Sequence, residues 1–185
     1  MRALIVYESM FGNTRLVAEA IGAGIASSLP VELANVNRVT AAQLSAIDIL
    51  VVGGPTHMHG MSRPASREAA RMQVTAELPL EADAPGIGVR EWLAGLETSA
   101  RFYAAFDTRI DMASWITGSA AIPIDRLLRH RGLTAVAERE SFLVTDDTRL
   151  EDGEAARAQA WGTRIAAEGT KKAGSTGAPE GSVLN

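Results

Sequence analysis

The chain contains no cysteine. That absence excludes disulfides, thiolate metal sites and thiol nucleophiles together. No apolar run reaches membrane-spanning length, so no transmembrane segment is expected. The apolar stretch from Ala3 to Tyr7 is too short for the core of a signal peptide and runs straight into Glu8. A cytoplasmic location is therefore expected. Positive charge is not in excess: 18 Lys and Arg stand against 22 Asp and Glu, a formal net charge of −4. Nucleic acid, which wants a basic face, is not an expected partner. There are only three histidines, and no internal repeats. His57 and His59 admit a metal-pair reading, but without cysteine and with only His130 elsewhere no metal centre is expected.

What remains is ordinary for a globular protein. At 185 residues, 46% hydrophobic and 22% charged, the chain is long enough for one domain with a sizeable core. Strand and helix signals alternate along it. Ala3 to Tyr7 reads as a buried strand and Thr14 to about Ser27 as a helix, with Leu16, Val17, Ala20, Ile21, Gly24 and Ile25 at helical spacing. Val31–Val36, Ile47–Gly53 and Phe102–Phe106 read as further strands. Leu133–Val144 holds a fifth, irregular around Glu138, Arg139 and Glu140. Thr40 is an expected N-cap of a short helix, Ser119–Arg131 a longer one with Pro123 tolerated in its first turns. The last helix is expected over Asp152–Ala167, burying Ala156, Ala160, Trp161 and Ile165.

This alternation argues a parallel sheet covered on both faces, with right-handed crossovers. Two regions fit a minimal version badly. The span Ala76–Gly88, with its prolines and glycines, splits the layer between strands three and four into helical pieces over Ser62–Thr75 and Val89–Leu96. Residues 169–185 are rich in Gly, Lys, Ser and Thr, and are expected to form a disordered tail after a domain spanning 1–168.

The most informative stretch is Ile5-Val6-Tyr7-Glu8-Ser9-Met10-Phe11-Gly12-Asn13-Thr14. A strand feeds a tight loop of small and polar residues and then a helix N-terminus, where backbone N–H groups have no helical partner and the dipole favours negative charge. The hydroxyls of Ser9 and Thr14 and the amide of Asn13 add donors, so a phosphate is the expected ligand. No Gly-Lys-Ser/Thr follows the loop, and Gly12 is its only glycine; neither the Walker nor the dinucleotide fingerprint is present.

Two apolar residues, Tyr7, Ser9, Gly12, Thr14, Ala18 and Ile21 at these spacings resemble the phosphate signature of the flavodoxins, which implies bound FMN. The resemblance covers the chain to about residue 168, and Phe106-Asp107-Thr108-Arg109 followed by Thr117-Gly118-Ser119-Ala120-Ala121 looks like a divergent group of bacterial flavodoxin-domain proteins. It implies a three-layer α/β flavodoxin-like fold, a five-stranded parallel sheet in order 2-1-3-4-5. Flavodoxin itself is the standard illustration of that order, with FMN at the switch point between strands one and three. Ser9, Met10, Phe11, Gly12, Asn13 and Thr14 are then the phosphate loop.

By position, the loop Pro55-Thr56-His57-Met58-His59-Gly60 flanks the flavin ring, and its Pro-Thr opening also looks like the quinone-reductase branch of the superfamily. The resemblance implies hydrogen bonds from Thr56 and His57 to the flavin edge. It also implies packing of Met58 or His59 on the ring, and a peptide flip at His59–Gly60 that glycine permits. The stacking Trp or Tyr usual in this loop is replaced by Met and His. The third wall is Asp107-Thr108-Arg109, with backbone N–H groups expected toward the pyrimidine edge. A guanidinium from Arg109 near the flavin favours its anionic reduced form; the bland alternative pairs Arg109 with Asp107 or Asp111. Trp115 either covers the ring or fills a core gap, and the core is the preferred place.

These readings imply a redox protein working through non-covalent FMN. It is either a carrier between partner proteins or a small oxidoreductase, quinone-reductase-like with NAD(P)H and a quinone-type acceptor, or protoporphyrinogen-oxidase-like. The competing class is a binding module that has lost tight FMN binding, for which the missing stacking aromatics argue.

Overall fold

A computed structural model describes residues 1–176 of the chain. Strand β1 (Ala3–Tyr7) lies at the centre of a parallel sheet, between β2 (Val31–Asn35) and β3 (Ile49–His57). Beyond β3 lies β5 (Phe102–Ile110), and along the far side of β5 run β6 (Thr134–Ala135) and then β7 (Glu140–Val144). The two-residue β4 (Gly60–Met61) folds back on β3 as a hairpin. With β6 and β7 as one interrupted strand, the core order is the expected 2-1-3-4-5. The interruption falls at residues 136–139, close to where the charged Glu138-Arg139-Glu140 run predicts it.

Alternation along the strands builds two cores, one on each face. Leu4, Val6, Leu50, Val52, Tyr103 and Ala105 face helices α4 (Val89–Ala94) and α6 (Ala121–His130), which contribute Leu93, Ile124 and Leu128. Ala3, Ile5, Ile49, Val51, Ala104 and Phe106 face α1 (Asn13–Ala26) and α7 (Glu154–Thr176). There Phe106, Phe142 and Trp161 meet edge to face, with ring centroids 6.0–6.3 Å apart. Two short helices, α2 (Ala41–Leu44) and α3 (Pro64–Arg71), complete the α4 side, and α2 opens with Thr40 as the expected N-cap, which forms a capping box with Gln43.

Three elements depart from expectation. Strand β3 continues through His57 and β5 through Ile110, because a hairpin partner and β7 extend their ladders. Helix α7 does not stop at Ala167 but runs to Thr176, so residues 169–176 are helical. Gly169 lies on Ile49, and Lys172 donates to the Ala135 carbonyl at 2.7 Å. The remainder of the expected tail lies outside the described residues. The buried face of α7 is Ala158, Trp161, Ile165 and Ala166, whereas Ala156 and Ala160 are exposed. Likewise Leu16 of α1 faces solvent, and Ala18 and Gly22 are buried with Val17, Ile21 and Ile25. Among the described residues no helix is long and apolar enough to cross a membrane.

Candidate functional site

The strand ends carrying the three predicted loops converge on one cleft of about 130 Å³. Its walls are the Ser9–Thr14 loop, Pro55, Thr56 and His57 at the end of β3, and Thr108, Arg109 and Ile110 at the end of β5. Sheet register brings them together, since Gly53 lies beside Tyr7 and Pro55 beside Thr108. A fourth wall, Val144 and Thr148 from the end of β7 and the turn after it, was not foreseen. Nothing local marks Thr148, whose carbonyl accepts the Asn13 side-chain amide at 2.8 Å at the cleft.

The first loop gathers polar donors at the start of α1. Gly12 precedes α1 at φ +95°, a left-handed conformation that glycine adopts without steric cost. Its N–H donates to Ser9 Oγ at 3.1 Å, which folds the loop on itself. The first amide of α1 with a helical partner is Leu16, bonded to the Gly12 carbonyl, so the amides before it are the free end of the helix. The Thr14 hydroxyl is buried and lies 2.8 Å from that of Thr108, joining the first wall to the third. Met10 lines the cleft and also packs behind the loop. It is buried with Ala70 and Ala84, against Phe11 and Leu80. The span that fits a minimal fold badly thus has a place: it caps the outside of this loop. The Glu81 amide donates to the Met10 carbonyl at 2.8 Å, and Asn37 holds the span's far end through the Ile87 amide and carbonyl.

The second loop is a two-residue hairpin turn with Met58 at φ 43° and His59 at φ 74°. Such a turn prefers Asn-Gly, so each residue here bears strain on the order of 1 kcal/mol. Gly60, expected to supply the conformational freedom, has already returned to the strand. Met58 and His59 are exposed, and Met58 is outside the cleft wall. His57 is half-buried, and burial lowers its pKa, so the imidazole favours its neutral form.

The third wall differs most from expectation. Asp107, Thr108 and Arg109 lie within β5, laddered to β7, and Asp107 and Thr108 also to β3. Their backbones are therefore sheet rather than loop. The Asp107 carboxylate is fully buried and is turned to α6, where Oδ2 accepts from Ser119 Oγ at 2.5 Å, the Ala121 amide at 2.9 Å and Thr56 Oγ1 at 3.1 Å. Thr56 in turn accepts from the Ala120 amide. Asp107 and Thr56 thus fasten the start of α6 to the sheet. Arg109 makes no ion pair with Asp107 or Asp111. Its Nη1 donates to the Met112 carbonyl at 2.5 Å, while Nε is buried without a partner. Trp115 does not fill a core gap: it is 84% exposed, in the short helix α5 (Ser114–Thr117) near the hairpin. Gly118, just after it, bridges to His59.

Glu8 is a buried group that sequence reasoning passed over as a spacer. Its Oε2 accepts from the Val89 amide at 2.8 Å and its Oε1 has no partner. Burial pushes its pKa up, outweighing the Ser62 hydroxyl, the Val89 amide and the nearby Arg67. A carboxyl raised in this way destabilises the fold as pH rises through its folded pKa, because the unfolded chain ionises more readily. Glu8→Gln should therefore raise the urea midpoint, little near pH 4 and increasingly toward pH 7. A gain that did not grow with pH would show that the Glu8 charge carries no cost. Glu8 Oε1, Asp107 Oδ1 and Arg109 Nε are the buried side-chain atoms without partners among the described residues, and all belong to the ends of β1 and β5. Such orphans call for an explanation, and here they mark the end of the sheet at which the cleft opens.

No protein-family model and no curated protein matches the sequence. Solved structures do match, and the fold they share is that of the flavodoxins. A flavodoxin from the domain Archaea superposes with a TM-score of 0.59 at 23% identity, over 92% of this chain and 99% of its own. Flavodoxin 1 from Bacillus cereus gives a TM-score of 0.60 at 17% identity, over 89% of this chain and 97% of its own. Rubredoxin oxygen:oxidoreductase from Desulfovibrio gigas gives 0.63 at 15% identity, over 93% of this chain and 37% of its own.

Proposed function

Starting from a chain with the flavodoxin fold and three strand ends meeting at one cleft, we propose an FMN-binding redox protein, acting as an electron carrier or as a small flavin oxidoreductase. When bound, FMN supplies one- and two-electron chemistry, and the protein sets its binding and potential. The observation that carries the reading is the union of the α1 N-terminus, the Thr14–Thr108 hydroxyl pair and the unpartnered Arg109 Nε in one cleft. An oxyanion at the helix end and a second acceptor near Arg109 match those donors.

The cleft is well below the roughly 300 Å³ of pockets that enclose a whole small ligand. It suits the phosphate and polyol, and leaves a flavin ring to its rim. Apolar groups are exposed on that side: Ile110 ends β5, Met112 and Trp115 follow it, and Met58 tips the hairpin. A thioether packs against an aromatic face adequately, though less strongly than a stacked ring. The same small cleft favours the second reading, a module that holds a phosphate ligand without the ring. The visible spectrum of the purified protein, before and after FMN is added and the excess removed, decides between them. Retained flavin absorbance supports the redox protein, and a colourless protein supports the module.

Arg109 tunes the potential in this reading. A guanidinium a few ångströms from reduced flavin, in a site of intermediate dielectric, is worth about 1–2 kcal/mol, or roughly 20–45 mV for two electrons. Arg109→Ala should lower the midpoint potential by that much in spectroelectrochemistry. An unchanged potential would place its charge away from the flavin.

A further inference from the structure

A second cleft, of about 530 Å³, opens on the other side of the β3–β4 hairpin. Its walls include His57, Met58, Arg63, Ser66, Arg90 and Pro123, contributed by the hairpin, the start of α3, α4 and α6. Its size is that of a small-molecule site, four times that of the first cleft. No carboxylate lines it. Many arginines of this chain, Arg15, Arg38 and Arg157 among them, sit on an acidic partner. Arg63 and Arg90 have no acidic partner among the described residues. Arg90 is instead aimed by backbone carbonyls, its Nε donating to Ser62 at 3.1 Å and its Nη2 to Met61 at 3.0 Å. Neither carbonyl neutralises the guanidinium. Beside the arginines the cleft is also lined by the apolar Met58, Met61, Ala65 and Pro123.

We propose that this cleft binds a small organic oxyanion, with its carboxylate or phosphate on Arg63 and Arg90 and its apolar body against Met58 and Pro123. Guanidiniums without a competing acid are the side chains best suited to carboxylates and phosphates, and that of Arg90 is held in place by its two carbonyls. The apolar wall supplies the remaining burial. His57 lines both clefts, so a bound anion lies across the hairpin from the first site without sharing its phosphate loop. The inference does not require FMN in that first site.

The test titrates the purified full chain, carrying methyl-13C methionine, with 2-naphthoate, 2-naphthyl phosphate and neutral 2-naphthamide. The methyls separate the two clefts, since Met58 and Met61 line the second and Met10 belongs to the first. Saturable shifts of Met58 and Met61 are expected with at least one of the anions, with Met10 unmoved and the amide at least tenfold weaker. Arg63→Gln, at an exposed position, should weaken the anion tenfold or more and leave the amide unchanged. The proposal is overturned if neither anion saturates, if the amide binds as well as the anions, if Met10 shifts instead, or if Arg63→Gln has no effect. A carboxylate response without a phosphate response, or the reverse, assigns the headgroup.

Discussion

Replacing Thr14 by valine should weaken FMN binding by about 10–100-fold and riboflavin binding by less than about threefold, as read by flavin fluorescence titration. The range is that of one hydrogen bond to a charged group, about 1.5–3 kcal/mol. Valine keeps the shape of the side chain and removes only the hydroxyl, and only FMN carries the phosphate that hydroxyl would meet. The structure adds a complication that can be used. Thr14 is buried and bonded to Thr108, so the substitution also leaves the Thr108 hydroxyl without its partner, at about 1 kcal/mol of stability. The double variant Thr14→Val with Thr108→Val removes both hydroxyls and should recover part of that stability while keeping the FMN defect. Equal losses for FMN and riboflavin would sink the assignment of this loop to phosphate.

Gly162→Ala should destabilise the protein by about 3 kcal/mol or more, the upper range of overpacking a tight interface. A Cβ at Gly162 would stand 2.2 Å from the Ile21 carbonyl oxygen, and one at Gly24 would stand 2.0 Å from that of Gln159. Each glycine of one helix thus meets the backbone of the other. No rotamer change relieves such contacts; α1 and α7 have to separate. Gly174→Ala, later in α7 where a Cβ meets nothing within 4 Å, is the control and should stabilise slightly. Urea midpoints for the pair read the difference, and a Gly162→Ala protein as stable as the control variant would mean that the helices part at little cost. The contact matters to the site because α1 begins at the Ser9–Thr14 loop. A shift of that helix moves Thr14 against Thr108, so any Gly162→Ala protein that folds should also lose FMN affinity.

Much of the fold is legible along the chain because its signals are local. Ala3–Tyr7 and Ile49–Val52 are apolar at every position, which is how strands buried on both faces read. The Ser9–Thr14 loop is equally legible, since its left-handed Gly12 and its donors lie within one turn of each other. Thr40, capping through Gln43 three residues on, is legible for the same reason. The helix faces are less legible. Ala156 and Ala160 share helical spacing with Trp161 and Ile165, but small residues fit either side of α7, and its direction of approach to α1 is set by Gly24 and Gly162.

The third wall shows where a strand-by-strand reading ends. Asp107 looked like a loop residue because the apolar run stops at Phe106. β7 and β3 nonetheless extend the ladder past it, and α6 claims its carboxylate. Arg109 is free for the cleft because the acids beside it in sequence are turned elsewhere or left in solvent, which no spacing reveals. Glu8 looked like a spacer, and only the arrival of Val89, Ser62 and Arg67 from distant elements makes it a buried carboxyl with a raised pKa.

The sequence by itself determined the order of strands and helices, the sites of the turns and the glycine turn and polar donors of the first loop, because periodicity, capping and turn chemistry act over a few residues. Only the tertiary structure decided that Thr148 and the 76–88 span close around that loop, that Trp115 stands in solvent, and that Arg63 and Arg90 share a cleft without an acid. Those outcomes depend on groups tens of residues apart in the chain meeting in space, and local periodicity carries no information about such meetings.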